Sequence, residues 1–235
     1  MLDFYDTDEN GAISYIVRRI DKGVSTFTTE MQKSNMFVLK QLKLVANDDN
    51  DFTYMLVGFL GGKEVSLPAA DSDITCFETN VNPWDKKYGA NVMTGKRYSE
   101  YTLTDLKRGD VMLLSYDLLG NVNGFMLMYS AENAPKNYAE VMSDSGTPTT
   151  TNHLAVMHTA YGKVMRRYSE SIILNTSVNA EDKEWNKTFR IDGCTVYIMQ
   201  DRSIEAGSYN DINQGDVILL KTSYNAAKEI LVIRE

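Results

Sequence analysis

The sequence predicts an all-β protein of two tandem small β-barrel-like (or sandwich) modules, preceded by the closing hairpin of a third module. Short runs of alternating polar and apolar residues, rich in β-branched and aromatic side chains, are typical of strands. A repeat is also present: Asp105–Leu114 aligns without gaps to Asp211–Leu220, with six of ten positions identical. The chain lacks the crossover helices that a parallel α/β sheet requires, and closure of a small sheet removes exposed edges. A small barrel is therefore favoured over a sandwich.

The elements follow in chain order from these patterns. Single helical turns are expected at 104–108 and 210–214, where Gly109 and Gly215 can take the left-handed conformation that ends them. A longer helix is a candidate only at 136–142. Strands are predicted at 12–19, 36–45, 52–60, 63–67, 73–78, 110–117 and 122–130, and then at 154–167, 170–177, 188–191, 194–199, 216–222 and 228–234.

Two further turn signals suggest that the upstream parts of the copies also correspond. Gly61-Gly62 lies between two strand patterns, as does Asp192-Gly193, and both dipeptides suit two-residue hairpin turns. From the second turn glycine to the Gly-Asp pair there are 47 positions in the first copy and 22 in the second. The first copy is therefore expected to carry an insertion of about 25 residues, placed at 79–101.

The N-terminus reads as a weaker third copy of the closing hairpin, over residues 4–17. Copies would then end near residues 19, 130 and 235, which predicts a fragment of a longer tandem-repeat protein in which Met1 is an internal or introduced methionine. The expected division is a closing hairpin at 1–20, a first module at 21–135, a polar linker at 136–152 and a second module at 153–235.

Composition narrows the function classes. The 32 acidic and 24 basic side chains give a formal charge of −8, and no basic patch is visible, which argues against nucleic-acid partners. No apolar run reaches the roughly 18 residues of a transmembrane helix, so no membrane insertion is expected. Cys76 and Cys194 are too far apart in sequence for a metal-binding pair, and two buried thiols are the simpler interpretation.

One segment resembles part of a calcium loop. Asp6, Asp8 and Asn10 match the first half of an EF-hand loop, but Val17 stands where a bidentate glutamate should close the shell. A hairpin turn rich in Asp, Asn and Gly needs no ion, so a plain turn is favoured. No cofactor is expected, and any calcium at this site should be weak.

No catalytic motif is evident, so a non-enzymatic role is expected. His153 and His158 are five positions apart and lie on opposite faces of a predicted strand, and no nucleophile or phosphate-binding motif is found. A glycosidase pair could be assembled from distant carboxylates, but nothing in the sequence selects one.

The predicted insertion is the strongest candidate for ligand contact. It carries Trp84, Tyr88, Tyr98 and Tyr101 among Asn, Asp, Lys and Arg residues, which is the composition of a sugar-binding or protein-contact surface. The alternative is that these aromatic side chains cover the barrel or fill the space between the modules.

The closing pattern supports a family resemblance. Gly109–Val111 with 124–129, Gly215–Val217 with 230–233, and Tyr161–Val164 followed by Ser171–Leu174 resemble the β-rich tandem C-terminal modules of Firmicute cell-surface proteins that carry S-layer-homology anchors. No such anchor is present in these 235 residues. The resemblance implies an extracellular structural role on the bacterial cell surface, with neighbouring modules or subunits as partners. The alternatives are a phage virion protein of the tail or head fibre, and a glycan-binding module.

Overall fold

The computed structural model describes residues 2–7, 13–19, 35–46, 52–70, 74, 102–132, 157–175, 186–201, 203–223 and 225–234. These residues form strands and two short 3-10 turns, at Leu103–Asp105 and Tyr209–Asp211, so the all-β prediction is confirmed. The strands are β1 (Leu2–Thr7), β2 (Ile13–Arg19), β3 (Phe37–Ala46), β4 (Phe52–Leu60), β5 (Lys63–Pro68), β6 (Val111–Tyr116), β7 (Val122–Tyr129), β8 (Met157–Arg167), β9 (Ser171–Asn175), β10 (Asn186–Arg190), β11 (Thr195–Gln200), β12 (Ser203–Gly207), β13 (Val217–Ser223) and β14 (Ala226–Arg234).

The N-terminal hairpin is confirmed. β1 and β2 pair antiparallel from Leu2 opposite Arg19 to Thr7 opposite Ile13, so β1 includes residues that the sequence assigned to the turn. The prediction that this hairpin packs on the first module concerns side chains outside the described residues and stays a prediction.

The first large sheet has the strand order β5-β4-β3-β6-β7. The Gly61-Gly62 turn is confirmed: both glycines have positive φ, 57° and 81°, and Leu60 pairs with Lys63 directly across it. The sheet's two ends also meet, because Ala69 makes a parallel bridge to Val122 at the start of β7. This bridge links the two ends of the five-strand order into a closed circuit of pairings. Whether the module is a barrel or a sandwich stays a prediction.

The second large sheet repeats this plan and extends it. Its order is β10-β9-β8-β13-β14-β11-β12, and Arg190 at the end of β10 bridges Ala226 at the start of β14. This bridge closes a circuit of five strands, β10-β9-β8-β13-β14, just as the bridge from Ala69 to Val122 closes the circuit of the first sheet. The β11–β12 hairpin is then added to the remaining length of β14, with β11 parallel to it.

The sequence repeat corresponds to equivalent positions in the two sheets. Gly109 N donates to Leu39 O at 2.8 Å, and Leu39 N donates to Asp110 O at 2.9 Å. The same reciprocal pair joins Val164 to the second copy: Gly215 N donates to Val164 O, and Val164 N donates to Asp216 O, both at 2.8 Å. Since β3 and β8 also bulge immediately after these residues, the predicted equivalence of the repeated segments is confirmed.

The predicted hairpin at Asp192-Gly193 is wrong. β10 and β11 do not pair with each other; both run parallel to β14, one after the other, and the dipeptide is the turn between them. A two-residue Asp-Gly signal marks a turn with positive φ, here 72° at Gly193, but does not say which strands the flanking segments join.

The predicted 25-residue insertion was counted from the Asp192-Gly193 turn. Because that turn is not equivalent to Gly61-Gly62, the length of the insertion has to be counted from other points. Measured between equivalent points, 40 positions separate Ala69 from Gly109, and 25 separate Arg190 from Gly215. The first module is longer by 15 positions over this stretch. The placement of the insertion at 79–101 lies outside the described residues.

Each circuit of strands encloses its own apolar core. The first core includes Phe37, Leu39, Leu56 and Phe125, and the second includes Ile172, Ile198, Ile218 and Ile230. Among the described residues, no helix has the length and apolar character needed to cross a membrane. The helix predicted at 136–142, the linker at 136–152, most of the strand at 73–78 and the module boundaries lie outside the described residues and stay predictions.

Candidate functional site: the junction between the two sheets

The predicted ligand and metal residues are not among those the structure describes in full. Asp6 lies in β1, and only its backbone is described. The others lie outside the described residues: Asp8, Asn10, Trp84, Tyr88, Tyr98 and Tyr101. The aromatic-surface and weak-calcium hypotheses therefore stay predictions.

The most prominent feature of the described residues is a third apolar core, which both sheets share. We call it the junction. Because side chains alternate between the faces of a strand, Met36 and Val38 enter the junction while Phe37 and Leu39 enter the first core. The buried members of the junction are Met36, Val38, Phe59, Val111, Leu113, Met126 and Tyr129 from the first sheet, and Tyr197, Ile204, Leu219 and Leu231 from the second. Both sheets are thus buried on two faces here.

Aromatic pairs span the junction. Phe59 of β4 faces Tyr197 of β11 with ring centroids 6.0 Å apart, and Tyr129 of β7 faces Tyr161 of β8 at 5.6 Å. Both pairs are tilted, at 50° and 49°, within the range of favourable aromatic geometries. Such pairs contribute about 0.5–1.5 kcal/mol each beyond their buried area.

A buried polar cluster links the same surfaces. Glu229 Oε2 of β14 accepts a hydrogen bond from the backbone N of Met36 at 2.6 Å. Tyr197 Oη donates to Glu229 Oε1 at 3.3 Å and accepts from the backbone N of Gly62 at 3.1 Å. Two backbone donors of the first sheet therefore end on two side chains of the second. Because buried polar groups are costly when unpaired, this arrangement favours one relative placement of the sheets.

The charge in this cluster is balanced within the second sheet. Lys221 of β13 is the direct cross-strand partner of Glu229, and the two residues are only 2% and 4% exposed. Burial lowers the pKa of Lys221 to about 8, with Glu229 opposing the shift. Burial also raises the pKa of Glu229, against the hydrogen bond from Met36 and the charge of Lys221. Removing either partner would leave the other charge buried and uncompensated.

Burial also raises the pKa of two other side chains of the second sheet, Tyr197 in the junction and Cys194 beside the second core. Burial raises the pKa of Tyr197 to about 12, so its hydroxyl stays protonated and available to donate to Glu229. Burial raises the pKa of the partly buried Cys194 thiol to about 11, which leaves little reactive thiolate at neutral pH.

The repeated Gly-Asp pair has a structural role at the junction. Asp110 Oδ2 accepts from Lys107 N at 2.7 Å, and Oδ1 accepts from Ala131 N at 2.9 Å, so one carboxylate ties the entrance of β6 to the residues after β7. A Cβ atom on Gly109 would lie 2.4 Å from Sδ of Met199 in the second sheet. The first Gly-Asp pair thus lies where the two sheets meet.

Sequence reasoning missed this site. Lys221 and Glu229 do leave a signal, because each is a charged residue next to an apolar strand run, Ile218–Leu220 and Ile230–Ile233. Charged residues at such positions are almost never fully buried unless they are paired. Nothing in the sequence indicates that Met36 and Gly62 are the groups they hold.

Comparison with protein-family models, with curated proteins and with solved structures finds no significant match.

Proposed function

We propose that the chain is a non-enzymatic structural or assembly unit of a large bacterial cell-surface protein. The observation that carries the proposal is the junction: two copies of one strand plan are held together by a shared core and a buried polar cluster. Repeated domains joined by flexible linkers move independently of one another. Units joined through a common core hold a fixed spacing and orientation, which is what a load-bearing or scaffolding protein requires.

The contact between the two modules is apolar and deeply buried. Transient contacts between domains are polar and small, whereas obligate ones resemble a divided core. Here the contact includes Tyr129 and Tyr197, both with 0% of their surface exposed. We infer that the two modules act as one rigid element within a longer repeated chain.

Immunolabelling tests the proposed location. Antibodies raised against the 235-residue chain should label the surface of intact, unpermeabilised source cells, with a deletion strain of the gene as the matched control. Labelling that appears only after permeabilisation would contradict the surface role. Labelling of purified phage particles instead would establish the virion alternative.

The glycan-binding alternative has its own test. A glycan array probed with the chain and with its Trp84→Ala variant would establish it if binding depended on that tryptophan. No specific binding by either protein is the result expected for a structural unit, and binding retained by the variant would show that Trp84 does not carry it.

A further inference from the structure

The strand registers identify equivalent residues in the two modules. Leu39 and Val164 make the same backbone hydrogen bonds with the two Gly-Asp pairs. Met36 lies three positions before Leu39, and Tyr161 lies three positions before Val164. Met36 of β3 and Tyr161 of β8 therefore occupy the same place in their modules.

The closing hairpins supply two further equivalent pairs. Leu113 and Leu219 occupy the same position of the repeated segment. Their direct cross-strand partners are Met126 in β7 and Leu231 in β14. Met126 and Leu231 are therefore equivalent as well.

All three equivalent pairs lie in the junction. Of their six residues, Tyr161 is partly buried there and the other five are buried, and none belongs to the core of either module. Side chains alternate between the two faces of a strand, so these residues lie on the face that points away from each module's own core. The two modules therefore meet through the same face.

The contacts across the junction are also reciprocal. Strand β3 of the first module meets β14 of the second, where Met36 N donates to Glu229. The equivalent strands meet with the modules exchanged, because Tyr161 of β8 faces Tyr129 of β7. Reciprocal contacts between equivalent elements are the property of an isologous interface.

The symmetry is approximate. The contacts of β11 with the first sheet, such as that between Tyr197 and Phe59, have no counterpart among the described residues of the first module. They add to the junction on one side only and leave the reciprocal part unchanged.

We propose that the junction is a closed, approximately two-fold pairing, and that the partner which this face fits is one other module of the same plan. Two equivalent faces can oppose each other only through a half-turn, and the pair then leaves no copy of the face open. A stack that repeats by one step would use two different faces of each module and leave one open at each end. A longer chain would therefore be a string of closed pairs.

Sedimentation velocity of full-length variants tests whether the face is self-complementary. Tyr161→Asp/Leu231→Asp places two carboxylates on the face of the second module, where they are costly to bury, and Met36→Asp/Met126→Asp is the matched change on the first. The wild type should sediment as a monomer. Each double variant should form a concentration-dependent dimer of twice that mass, because the intact faces of two chains can pair with each other.

The variant that carries all four substitutions is the control. It has no intact face and should be monomeric. If the modules instead met through two different complementary faces, disabling either face would leave nothing to pair with the other, and both double variants would stay monomeric. That result, a wild type that dimerises, or a dimer that persists in the fourfold variant would overturn the proposal.

Far-UV circular dichroism of the same samples shows whether the modules stay folded. The substituted residues lie outside both module cores, so the strand signal of the wild type should be retained. Loss of that signal would also contradict the proposal, which requires modules that remain folded when their faces separate. The proposal rests on the assembly contact of the proposed function but not on the location of the protein, so sedimentation and immunolabelling can fail separately.

Discussion

The two Gly-Asp entrances have the same local structure in different surroundings. Gly109 and Gly215 have φ values of 90° and 98°, and the aspartate after each accepts from the backbone N three residues earlier at 2.7 Å. Asp110 is fully buried and bonds Ala131, whereas the carboxylate of Asp216 meets Arg234 at 2.8 Å. Ten residues of sequence are enough to specify the turn, but its energetic weight depends on what the rest of the chain places beside it.

The glycines show the same contrast. Gly109 is buried. An added Cβ would overlap Sδ of Met199 in the other sheet and would lie 3.1 Å from Cβ of Ala131. Gly215 is exposed, and an added Cβ would meet nothing within 4 Å. The first entrance therefore serves both its own module and the junction, and the second serves its module alone.

The largest contrast is expected between the two aspartates. Asp110→Ala leaves two backbone N–H groups without their acceptor in a buried site and should lower the free energy of unfolding by about 3–4 kcal/mol. Asp216→Ala removes the acceptor for Asn213 N, at an exposed position, and the ion-pair partner of Arg234, and should lower it by about 1–2 kcal/mol. Urea unfolding followed by far-UV circular dichroism measures both, and equal losses would remove the distinction between the entrances.

The glycines should differ in the same direction. Alanine at either position introduces backbone strain of about 1–3 kcal/mol, because both require a strongly positive φ. Gly109→Ala adds the displacement of Met199 and should be the more destabilising by about 1 kcal/mol or more. Truncation of the neighbour in Gly109→Ala/Met199→Ala should reduce that excess relative to the two single variants. An additive double variant would show that the strain is local to the turn.

The buried amine predicts a pH dependence specific to the junction. An amine whose folded-state pKa, about 8 for Lys221, lies below its unfolded value of about 10.4 binds fewer protons when folded, so the free energy of unfolding rises with pH between those values. The raised pKa of Tyr197 opposes this only above about pH 10.

Between pH 7.5 and 9.5, the wild type should gain about 1–2 kcal/mol relative to Lys221→Met. Lys228→Met, at an exposed position of β14, is the matched control and should follow the wild type. Parallel curves for the wild type and Lys221→Met would show that this amine does not titrate in that window.

The smallest effect is expected from one hydroxyl. Tyr197→Phe keeps the ring against Phe59 but removes the acceptor for Gly62 N and a donor to Glu229, with a loss of about 1–2 kcal/mol. Tyr168→Phe, at an exposed side chain, should change the free energy of unfolding by less than about 0.5 kcal/mol. Chemical unfolding of the two variants beside the wild type measures the difference.

Local sequence patterns were sufficient to predict much of the fold. Alternation predicted most of the strands, and the Asp105 and Asp211 segments predicted the repeat, because both signals depend on neighbours in the chain. The error at Asp192-Gly193 arose because a turn dipeptide does not determine which strands pair. The β12 strand was also missed, since its run Ser203–Gly207 is short and has only one buried apolar side chain, Ile204.

The junction could not be predicted for a different reason. Its polar contacts join residues far apart in sequence, such as Met36 with Glu229, which are 193 positions apart, and Gly62 with Tyr197, which are 135 apart. Two of the four groups are backbone N–H groups, which leave no mark in a sequence. Only the charged pair Lys221 and Glu229 offered a visible sign that these strands bury something other than an ordinary apolar face.

Hydrogen exchange tests most directly whether the two modules form one unit. Glu229→Ala alters only the second sheet, but it removes the acceptor for Met36 N, so faster exchange is expected both in 157–234 and in the peptide containing residues 35–39 of the first sheet. Asp216→Ala, in the same strand pair but away from the junction, should accelerate exchange in the second sheet alone. If Glu229→Ala likewise accelerated exchange in the second sheet alone and left the exchange rate of residues 35–39 unchanged, the modules would be independent. The account of a rigid junction would then be wrong.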